Sequence, residues 1–413
     1  MRVLHLTVEY PPVIHGGLGT AVGGLVQASA AAGLDVCVLL VNDGGGSGYG
    51  HPVATGSAPH AEVEGEVPVV TTTWAAAHQQ ASALIRDWRP DVLHLHVFWL
   101  WPLVARLKTD TGVPVVYTVH SLDRAEYEIG HGPAECLSQW DTQAATIRGA
   151  DRVLALTRSE ARLIEEYCPG TMGKVRIVGN GITLSETAAS PQPSDSGSPM
   201  VLFSGRFVDR KGVRDLLQAI PAVLASAPKT RFVLAGGHRG CTSQEMDSWW
   251  RPGTLRDAAQ VHFTGWLDAD GMRDWYRRAH ILVVPSWYEP FGMVVLEGMQ
   301  HNLAIAAAAV GGPAEILKHE HTGLLFAPRD PRAIADTLRR LVTNPQLRSR
   351  IAAAGRADLA RRWTWPRIIR RIQNVYRECA RSAGESARAG LGQPVRNWPR
   401  ATASAKPPLP ELS

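Results

Sequence analysis

The sequence lacks the marks of several protein classes. None of its five cysteines forms a C-x-x-C pair, which argues against a disulfide framework and against a sulfur-ligated zinc site. No apolar run approaches the roughly 20 residues that span a membrane, and the N-terminus begins with the strand-like Val3–Val8 instead of a signal peptide. We therefore expect a cytoplasmic protein with no membrane span.

A large excess of charge is also missing. The formal net charge is +5 over 413 residues, and much of it lies in an arginine-rich stretch, Arg348 to Arg371, that only Asp358 opposes. A solvated helix face explains this stretch better than a nucleic-acid or membrane surface does. We predict no nucleic-acid partner, and the oligomeric state stays open.

The sequence does have enough apolar content for folded cores, with 45% hydrophobic residues, and its length predicts two or three domains. Strand-like runs alternate with helical runs in both halves. They lie at Val3–Val8, Val36–Val41, Val92–His96, Val113–Thr118 and Arg152–Leu156, then at Met200–Phe203, Arg231–Ala235, Val261–Phe263, Ile281–Val284 and Ala304–Ala308. This alternation is typical of α/β proteins in which helices cover both faces of a parallel sheet.

Composition divides the chain into segments. We predict an N-terminal domain over residues 1–185, a Pro- and Ser-rich linker over 186–199 and a C-terminal domain over 200–365. A helix over 366–383 and a disordered tail over 384–413 follow. Parallel sheets bind ligands at the carboxyl ends of their strands, so two facing sheets place an active site in the cleft between them.

A glycine-rich loop lies between the first strand and the first helix. Gly16 and Gly17 let the backbone approach a ligand, and the helix N-terminus suits a phosphate. Val22 stands where the dinucleotide fingerprint needs its third glycine, but Asp43 ends the second strand, so an NAD-dependent oxidoreductase stays open. Taken alone, the loop fits a tight turn equally well.

Two cations follow the first strand of the second half. Arg206 and Lys211 both precede a predicted helix. Fixed cations there suit a diphosphate, whose negative charge grows when it departs as a leaving group. A solvated basic turn is the alternative.

Two glutamates follow the strand that ends near Pro285. Glu289 precedes Gly292, which lets loop amides approach a ligand, and Glu297 stands among apolar neighbours on a helix. Burying Glu297 without a partner would be costly, and the hydroxyls of a sugar or ribose could supply two donors. An exposed carboxylate is the alternative.

Together these segments resemble the retaining GT-B glycosyltransferases of family 4, which include glycogen synthase-like and mycothiol- or sucrose-type enzymes. The resemblance covers about residues 1–382, and its main match is the E-x7-E element from Glu289 to Glu297. It implies a GT-B fold, in which two Rossmann-like parallel-sheet domains face each other across a cleft. The segment after Trp363 would cross back to the N-terminal domain.

The resemblance also implies roles in binding the donor. Arg206 and Lys211 would hold its diphosphate near the Gly17 backbone, while Glu289 and the amides around Phe291 and Gly292 would position its sugar. Glu297 would bind the ribose, main-chain groups near Trp266 and Leu267 would contact the base, and His120 would approach the donor sugar. His120, Glu289, Arg206 and Lys211 are thus the predicted catalytic residues. The sequence departs from the family in having Ser121 after the histidine and Thr183 where the Asn180 motif normally ends in an acid.

Acceptor and metal sites are less clearly marked. His96 and the aromatic residues Phe98 and Trp99 follow one strand into the predicted cleft, where they could contact an acceptor or pack in the core. His94 and His96 share a face, but no third histidine or carboxylate is adjacent in sequence, which favours packing or acceptor contacts over a metal pair. Asp268-Ala269-Asp270 mimics a metal motif, and helix capping explains it better.

The resemblance implies transfer, with retention at the anomeric carbon, of a hexosyl or related group from a nucleotide diphosphate sugar to a small-molecule acceptor, of the kind found in specialised (natural-product) metabolism. The nucleotide sugar is a co-substrate, and we expect no obligatory metal or other cofactor. The alternatives are an α-glucan synthase-like enzyme with a glycan acceptor, the oxidoreductase, and a non-catalytic sensor of sugar nucleotides. Front-face transfer and double displacement through an enzyme carboxylate both stay open.

Overall fold

The computed structural model describes residues 1–12, 14, 16–42, 67–130, 135–184, 198–237, 240–256 and 258–389. Within these ranges the chain forms two wholly parallel sheets, each with helices packed on it. The predicted linker lies outside the described residues except for its last two positions, as do Asp43 and the predicted tail after Ala389.

The N-terminal sheet has seven strands in the order β3-β2-β1-β4-β5-β6-β7. They are β1 (Arg2–Thr7), β2 (Asp35–Val41), β3 (Val69–Thr72), β4 (Val92–Leu95), β5 (Val115–Val119), β6 (Arg152–Ala155) and β7 (Val175–Ile177). The central strands β1, β4 and β5 are buried along nearly their whole length, as expected for a sheet covered on both faces.

The C-terminal sheet has six strands in the order β10-β9-β8-β11-β12-β13. They are β8 (Met200–Gly205), β9 (Arg231–Gly236), β10 (Val261–Gly265), β11 (Ile281–Val284), β12 (Ala304–Ala308) and β13 (Leu324–Phe326). The strand order reverses between β8 and β11, and this switch point is where open α/β sheets bind ligands.

Helices connect the strands and continue the chain after β13. They are α1 (Gly17–Ala31), α2 (Trp74–Trp88), α3 (Trp101–Thr111), α4 (Asp123–Glu128), α5 (Glu135–Gly149), α6 (Arg158–Tyr167), α7 (Val213–Ser226), α8 (Ser243–Trp250), α9 (Ala269–Arg278), α10 (Met293–Gln300), α11 (Gly311–Ile316), α12 (Pro331–Thr343), α13 (Pro345–Arg362) and α14 (Trp365–Ala389). No helix among the described residues is both long enough and apolar enough to cross a membrane.

The predicted α/β architecture with two parallel-sheet domains is confirmed. Every predicted strand is present, but the sequence patterns missed β3, β7 and β13, which are three or four residues long and lie at sheet edges. Helix α14 continues to Ala389, past the predicted start of the tail at residue 384.

The last helix returns to the N-terminal domain. The Ile182 N–H donates to the Trp363 carbonyl at 2.9 Å, and α14 then packs on α1, β4 and β5. A Cβ on Gly181 would lie 2.7 Å from the Trp365 backbone, so this crossing point needs glycine. The expected crossing after Trp363 is therefore present.

Candidate active site between the two domains

The loop after β8 presents the predicted phosphate-binding cations. It makes one turn over Asp209–Lys211 and enters α7 at Gly212, which has a φ of 69°. A Cβ at Gly212 would lie 2.0 Å from the Pro285 carbonyl oxygen, and the Trp287 N–H donates to the Arg210 carbonyl at 2.7 Å. These contacts fix the loop against the end of β11 and hence against the loop that carries Glu289.

Lys211 and Glu289 form a buried ion pair across these two loops. Lys211 Nζ lies 2.5 Å from Glu289 Oε2, which also accepts a hydrogen bond of 3.0 Å from the Ser286 hydroxyl. Burial works to raise the pKa of Glu289, but the Lys211 ammonium and these hydrogen bonds hold it below its ordinary value. Glu289 is therefore an anion that keeps Lys211 in place.

Arg206 supplies positive charge beyond this ion pair. It is half-buried at the end of β8, and no hydrogen bond or ion pair joins it to another described residue. Burial, and more weakly the charges of Arg210 and Arg206, lower the pKa of Lys211. A second cation this close to the Lys211–Glu289 pair leaves a net positive site that suits a phosphate.

Glu297 has a protein partner that the sequence patterns did not indicate. The Tyr276 hydroxyl on α9 donates to Glu297 Oε2 at 2.7 Å. Burial raises the pKa of Glu297, and the bond from Tyr276 opposes that rise. The other oxygen, Oε1, has no hydrogen-bond partner among the described residues, so half of the carboxylate is left for a ligand.

Two further glycines support the Glu289 loop and were missed by sequence analysis. Gly311 and Gly312 follow β12, and the Gly312 N–H donates to the Glu289 carbonyl at 2.9 Å. A Cβ on Gly312 would lie 1.8 Å from the Phe291 carbonyl oxygen. The sequence run Gly311-Gly312-Pro313 is the feature from which these two glycines could have been identified. Gly292, with a φ of 90°, is the residue directly before α10, and the Phe291 side chain is buried against Trp363.

The end of β5 faces this loop from the N-terminal domain. The Leu122 N–H donates to the Tyr288 hydroxyl at 3.1 Å, and that hydroxyl donates to Glu160 Oε1 at 2.7 Å. Arg210 also pairs with Glu126 at 3.3 Å. His120 lies two residues before Leu122, so these bonds bring the predicted histidine to the same boundary as Glu289.

His96 lies in the core of the N-terminal sheet instead of at the surface of the cleft. It is buried, and its ring nitrogens contact His5 at 3.0 Å and His120 at 3.3 Å. Both ring nitrogens are occupied, which fits the packing alternative of the sequence analysis better than direct contact of His96 with an acceptor. The missed partner His5 stands beside His94 on the neighbouring strand β1.

The two aromatic candidates for contact with an acceptor, Phe98 and Trp99, differ in burial. Phe98 is buried in the hydrophobic core, which fits the packing alternative of the sequence analysis. Trp99 is 43% exposed and donates from Nε1 to Gln139 at 3.2 Å. Trp99 is therefore the one of these two side chains that an acceptor could contact.

Gly16 and Gly17 begin α1 at the carboxyl end of β1. A Cβ on either residue would meet no described atom within 4 Å, and Gly16 has an extended φ of 178° that any residue adopts. Packing within the described part of the protein therefore does not require glycine at these positions.

The predicted base-binding loop follows β10. Gly265 has a φ of 72°, and the Trp266 N–H already donates to the Cys241 carbonyl at 3.0 Å. Trp266 and Leu267 are half-buried. Within the described ranges, the Trp266 carbonyl and the main-chain groups of Leu267 have no hydrogen-bond partner outside the regular elements, so these are the groups that a base could contact. Asp268 caps α9 by accepting from the Gly271 N–H, as predicted.

Two family models match the chain, one in each half. The model described as Glycosyl transferase 4-like domain matches residues 16–181, and Glycosyl transferases group 1 matches residues 198–344. The first matched range includes Gly17 and His120. The second includes Lys211, Glu289 and Glu297.

Several known proteins match this chain over most of its length. The glycogen synthase of Mycobacterium tuberculosis is 29% identical over 403 residues, which are 91% of this chain and 94% of that protein. The D-inositol 3-phosphate glycosyltransferase of Acidothermus cellulolyticus is 29% identical over 88% of this chain and 86% of its own length. Anabaena Alr3699/HepE in complex with UDP and glucose has the same fold, with a TM-score of 0.71 and 18% identity over 92% of this chain and 100% of that one. The chain belongs to the GT-B glycosyltransferases of family 4.

Proposed function

We propose that this protein transfers a hexosyl or related group from a nucleotide diphosphate sugar to a small-molecule acceptor, with retention at the anomeric carbon. The observation that carries the proposal is the Lys211–Glu289 pair, which lies beside the additional cation Arg206 at the strand ends of one sheet. The crystal structure of Anabaena HepE contains UDP and glucose, and this supports a nucleotide sugar donor. The similarity to an enzyme named for inositol 3-phosphate supports a small acceptor.

The site residues would act on the leaving group and on the sugar. Negative charge grows on the diphosphate as its bond to the sugar loosens, and Lys211, Arg206 and the N–H groups that begin α1 at Gly17 would stabilise it. Glu289 would orient the sugar while it holds Lys211. The acceptor would attack from the face that the diphosphate leaves and pass its proton to the departing phosphate oxygen. These two cations supply the charge that a metal would otherwise supply, so we predict no obligatory metal.

Glu297→Ala tests the ribose site. We expect UDP to bind the parent protein about 10- to 100-fold more tightly than it binds this variant, because hydrogen bonds to a carboxylate contribute about 1.5–3 kcal/mol. Titration calorimetry with UDP and its 2′,3′-dideoxy analogue measures this contribution. The parent should discriminate between the two nucleotides, and Glu297→Ala should bind both equally weakly.

The same titration with GDP, ADP, TDP and NAD defines the donor. Preference for one nucleoside diphosphate would support the proposal and name the base. Binding of NAD alone would contradict it and favour the oxidoreductase. A Glu297→Ala variant that still prefers UDP over the dideoxy analogue would remove Glu297 from the ribose site. Glu166, an exposed residue of α6 in the N-terminal domain, offers Glu166→Ala as a control that should keep the preference.

Gly17→Ala tests the glycine loop. An added Cβ meets no described atom, and alanine is favoured over glycine in a helix by up to about 1 kcal/mol, so the variant should unfold at the same urea concentration or higher. We expect UDP-glucose to bind about tenfold more weakly, because the methyl group would occupy the space in which the diphosphate approaches the backbone. Gly173→Ala, which also meets no atom within 4 Å, is the matched control. Equal affinity of Gly17→Ala and parent would contradict this role.

An α-glucan synthase is the second candidate, favoured by the similarity to glycogen synthase over nearly the whole chain. Supplying radiolabelled nucleotide glucose with glycogen, and separately with small sugars and cyclitols, separates the two candidates. Label that enters only polymer would favour the glucan synthase. Label that enters a small product would support our proposal.

A further inference from the structure

Three histidines form a chain of ring-to-ring hydrogen bonds from the sheet core to the candidate active site. His5 Nδ1 lies 3.0 Å from His96 Nε2, and His96 Nδ1 lies 3.3 Å from His120 Nε2. His5 and His96 are buried on β1 and just after β4, while His120 is half-buried at the end of β5. The chain therefore runs across three neighbouring strands and ends beside the cleft.

Each ring in this chain carries one proton at neutral pH. Burial lowers the pKa of His5 to about 3 and that of His120 to about 4. Burial, together with the neighbouring histidines, also lowers the pKa of His96. A neutral imidazole has one N–H donor and one acceptor nitrogen, so the two hydrogen bonds must point in the same direction along the chain.

The buried end of the chain decides that direction. His5 Nε2 is buried and has no hydrogen-bond partner among the described residues. If the protons pointed inward, this nitrogen would carry a buried N–H with no acceptor, which is rarer and more costly in proteins than an acceptor without a donor. If they point outward, His5 Nε2 is a bare acceptor, His5 donates to His96, and His96 donates to His120.

We propose that His96 and His5 are positioning residues that hold His120 in the tautomer with its proton on Nδ1, so that His120 offers an N–H donor to the cleft. His120 Nε2 is occupied by the His96 N–H, and Nδ1 has no hydrogen-bond partner among the described residues. His120 would then donate to an oxygen of the donor sugar or its phosphate and would not act as a base. The tautomer follows from the hydrogen bonds and the burial of the three rings, and its use rests on the proposed function.

His94 lies next to this chain without being part of it. Its two ring nitrogens contact the Tyr376 and Thr118 hydroxyls, each at 2.7 Å. Both hydroxyls can donate or accept, so His94 is satisfied in either tautomer. Ring nitrogens of His5, His94 and His96 lie within 4.8 Å of one another, but a metal ion there would have to displace one hydrogen bond of His94 and one of His96.

Nitrogen-15 NMR of the ligand-free protein labelled at histidine reads the tautomer directly, because protonated and unprotonated ring nitrogens have widely separated shifts. The signals of His120 are those missing from His120→Gln. We expect a protonated Nδ1 and a bare Nε2 in the parent. The same shifts after addition of one equivalent of Zn²⁺ should not change. A protonated Nε2, or loss of these signals to bound zinc, would overturn the proposal.

Two substitutions at His96 separate positioning from packing. His96→Asn places an amide N–H near the position of Nδ1 and should keep His120 in the same tautomer, whereas His96→Leu removes the donor and should give a mixture. We expect His96→Leu to lower the rate of UDP release from UDP-glucose at least about tenfold, with recovery to within a few-fold in His96→Asn. His94→Leu also disturbs the core but should leave the His120 tautomer unchanged.

The outcomes distinguish this inference from the proposed function. A parent protein with the expected tautomer that binds no nucleoside diphosphate would leave the histidine chain intact and remove its proposed use. A parent that binds UDP but shows the same His120 tautomer in His96→Leu and His96→Asn would overturn the positioning role alone.

Discussion

Replacing Lys211 by alanine is expected to lower the affinity for UDP about 100-fold or more. The ammonium group lies in a largely buried site, where truncation of one charge in a hydrogen-bonded pair costs about 2–5 kcal/mol. The loss should be much smaller for uridine, which has no phosphate. Calorimetry with UDP and uridine on Lys211→Ala checks this difference, and Lys229→Ala, which removes an exposed lysine of the same domain, is the control.

The same substitution is expected to destabilise the protein by about 3–5 kcal/mol, because it leaves Glu289 as a buried charge without its counterion. Adding Glu289→Gln to Lys211→Ala removes that charge and should restore most of the free energy of unfolding. The double variant should still bind UDP more weakly than the parent does. Full recovery of UDP affinity in the double variant would mean that Lys211 only neutralises Glu289 and does not hold the diphosphate.

The contribution of Glu289 to the pH dependence of stability has opposite signs in the parent protein and in Lys211→Ala. In the parent, the pKa of Glu289 is lowered, so its contribution is present above the unfolded value of about 4.3 and is lost as the pH falls through the folded pKa. Without Lys211, burial raises this pKa, and the penalty grows as the pH rises. Urea unfolding should therefore show a smaller difference between parent and Lys211→Ala at pH 5 than at pH 7.

The sequence predicted the central strands well because burial on both faces produces continuous apolar runs such as Val36–Val41. It failed at β13, where Leu324–Phe326 is too short to show a period. Its position depends on pairing with β12 at the sheet edge, which is a contact between distant parts of the chain and leaves no local pattern.

Some residues of the candidate site could likewise be predicted from the sequence, and others could not. Glu289 and Lys211 were recognisable because each follows a predicted strand, and parallel strand ends meet at one edge of a sheet. Tyr276 and His5 were not recognisable as partners of Glu297 and His96, because each lies on a separate element and is brought near only by tertiary packing. His5 in particular gains its role from the pairing of β1 with β4.

Gly312→Ala is expected to disrupt the Glu289 loop, with a loss of about 3 kcal/mol in the free energy of unfolding. The added Cβ would lie 1.8 Å from the Phe291 carbonyl oxygen. That atom belongs to the backbone, so the clash cannot be relieved by a rotamer change and must move the loop that carries Glu289. We therefore expect UDP affinity to fall together with the urea midpoint. Gly253→Ala, at a position where a Cβ meets no atom within 4 Å, should change neither. An unchanged midpoint in Gly312→Ala would mean that the loop tolerates displacement and that close packing of Gly312 does not set the position of Glu289.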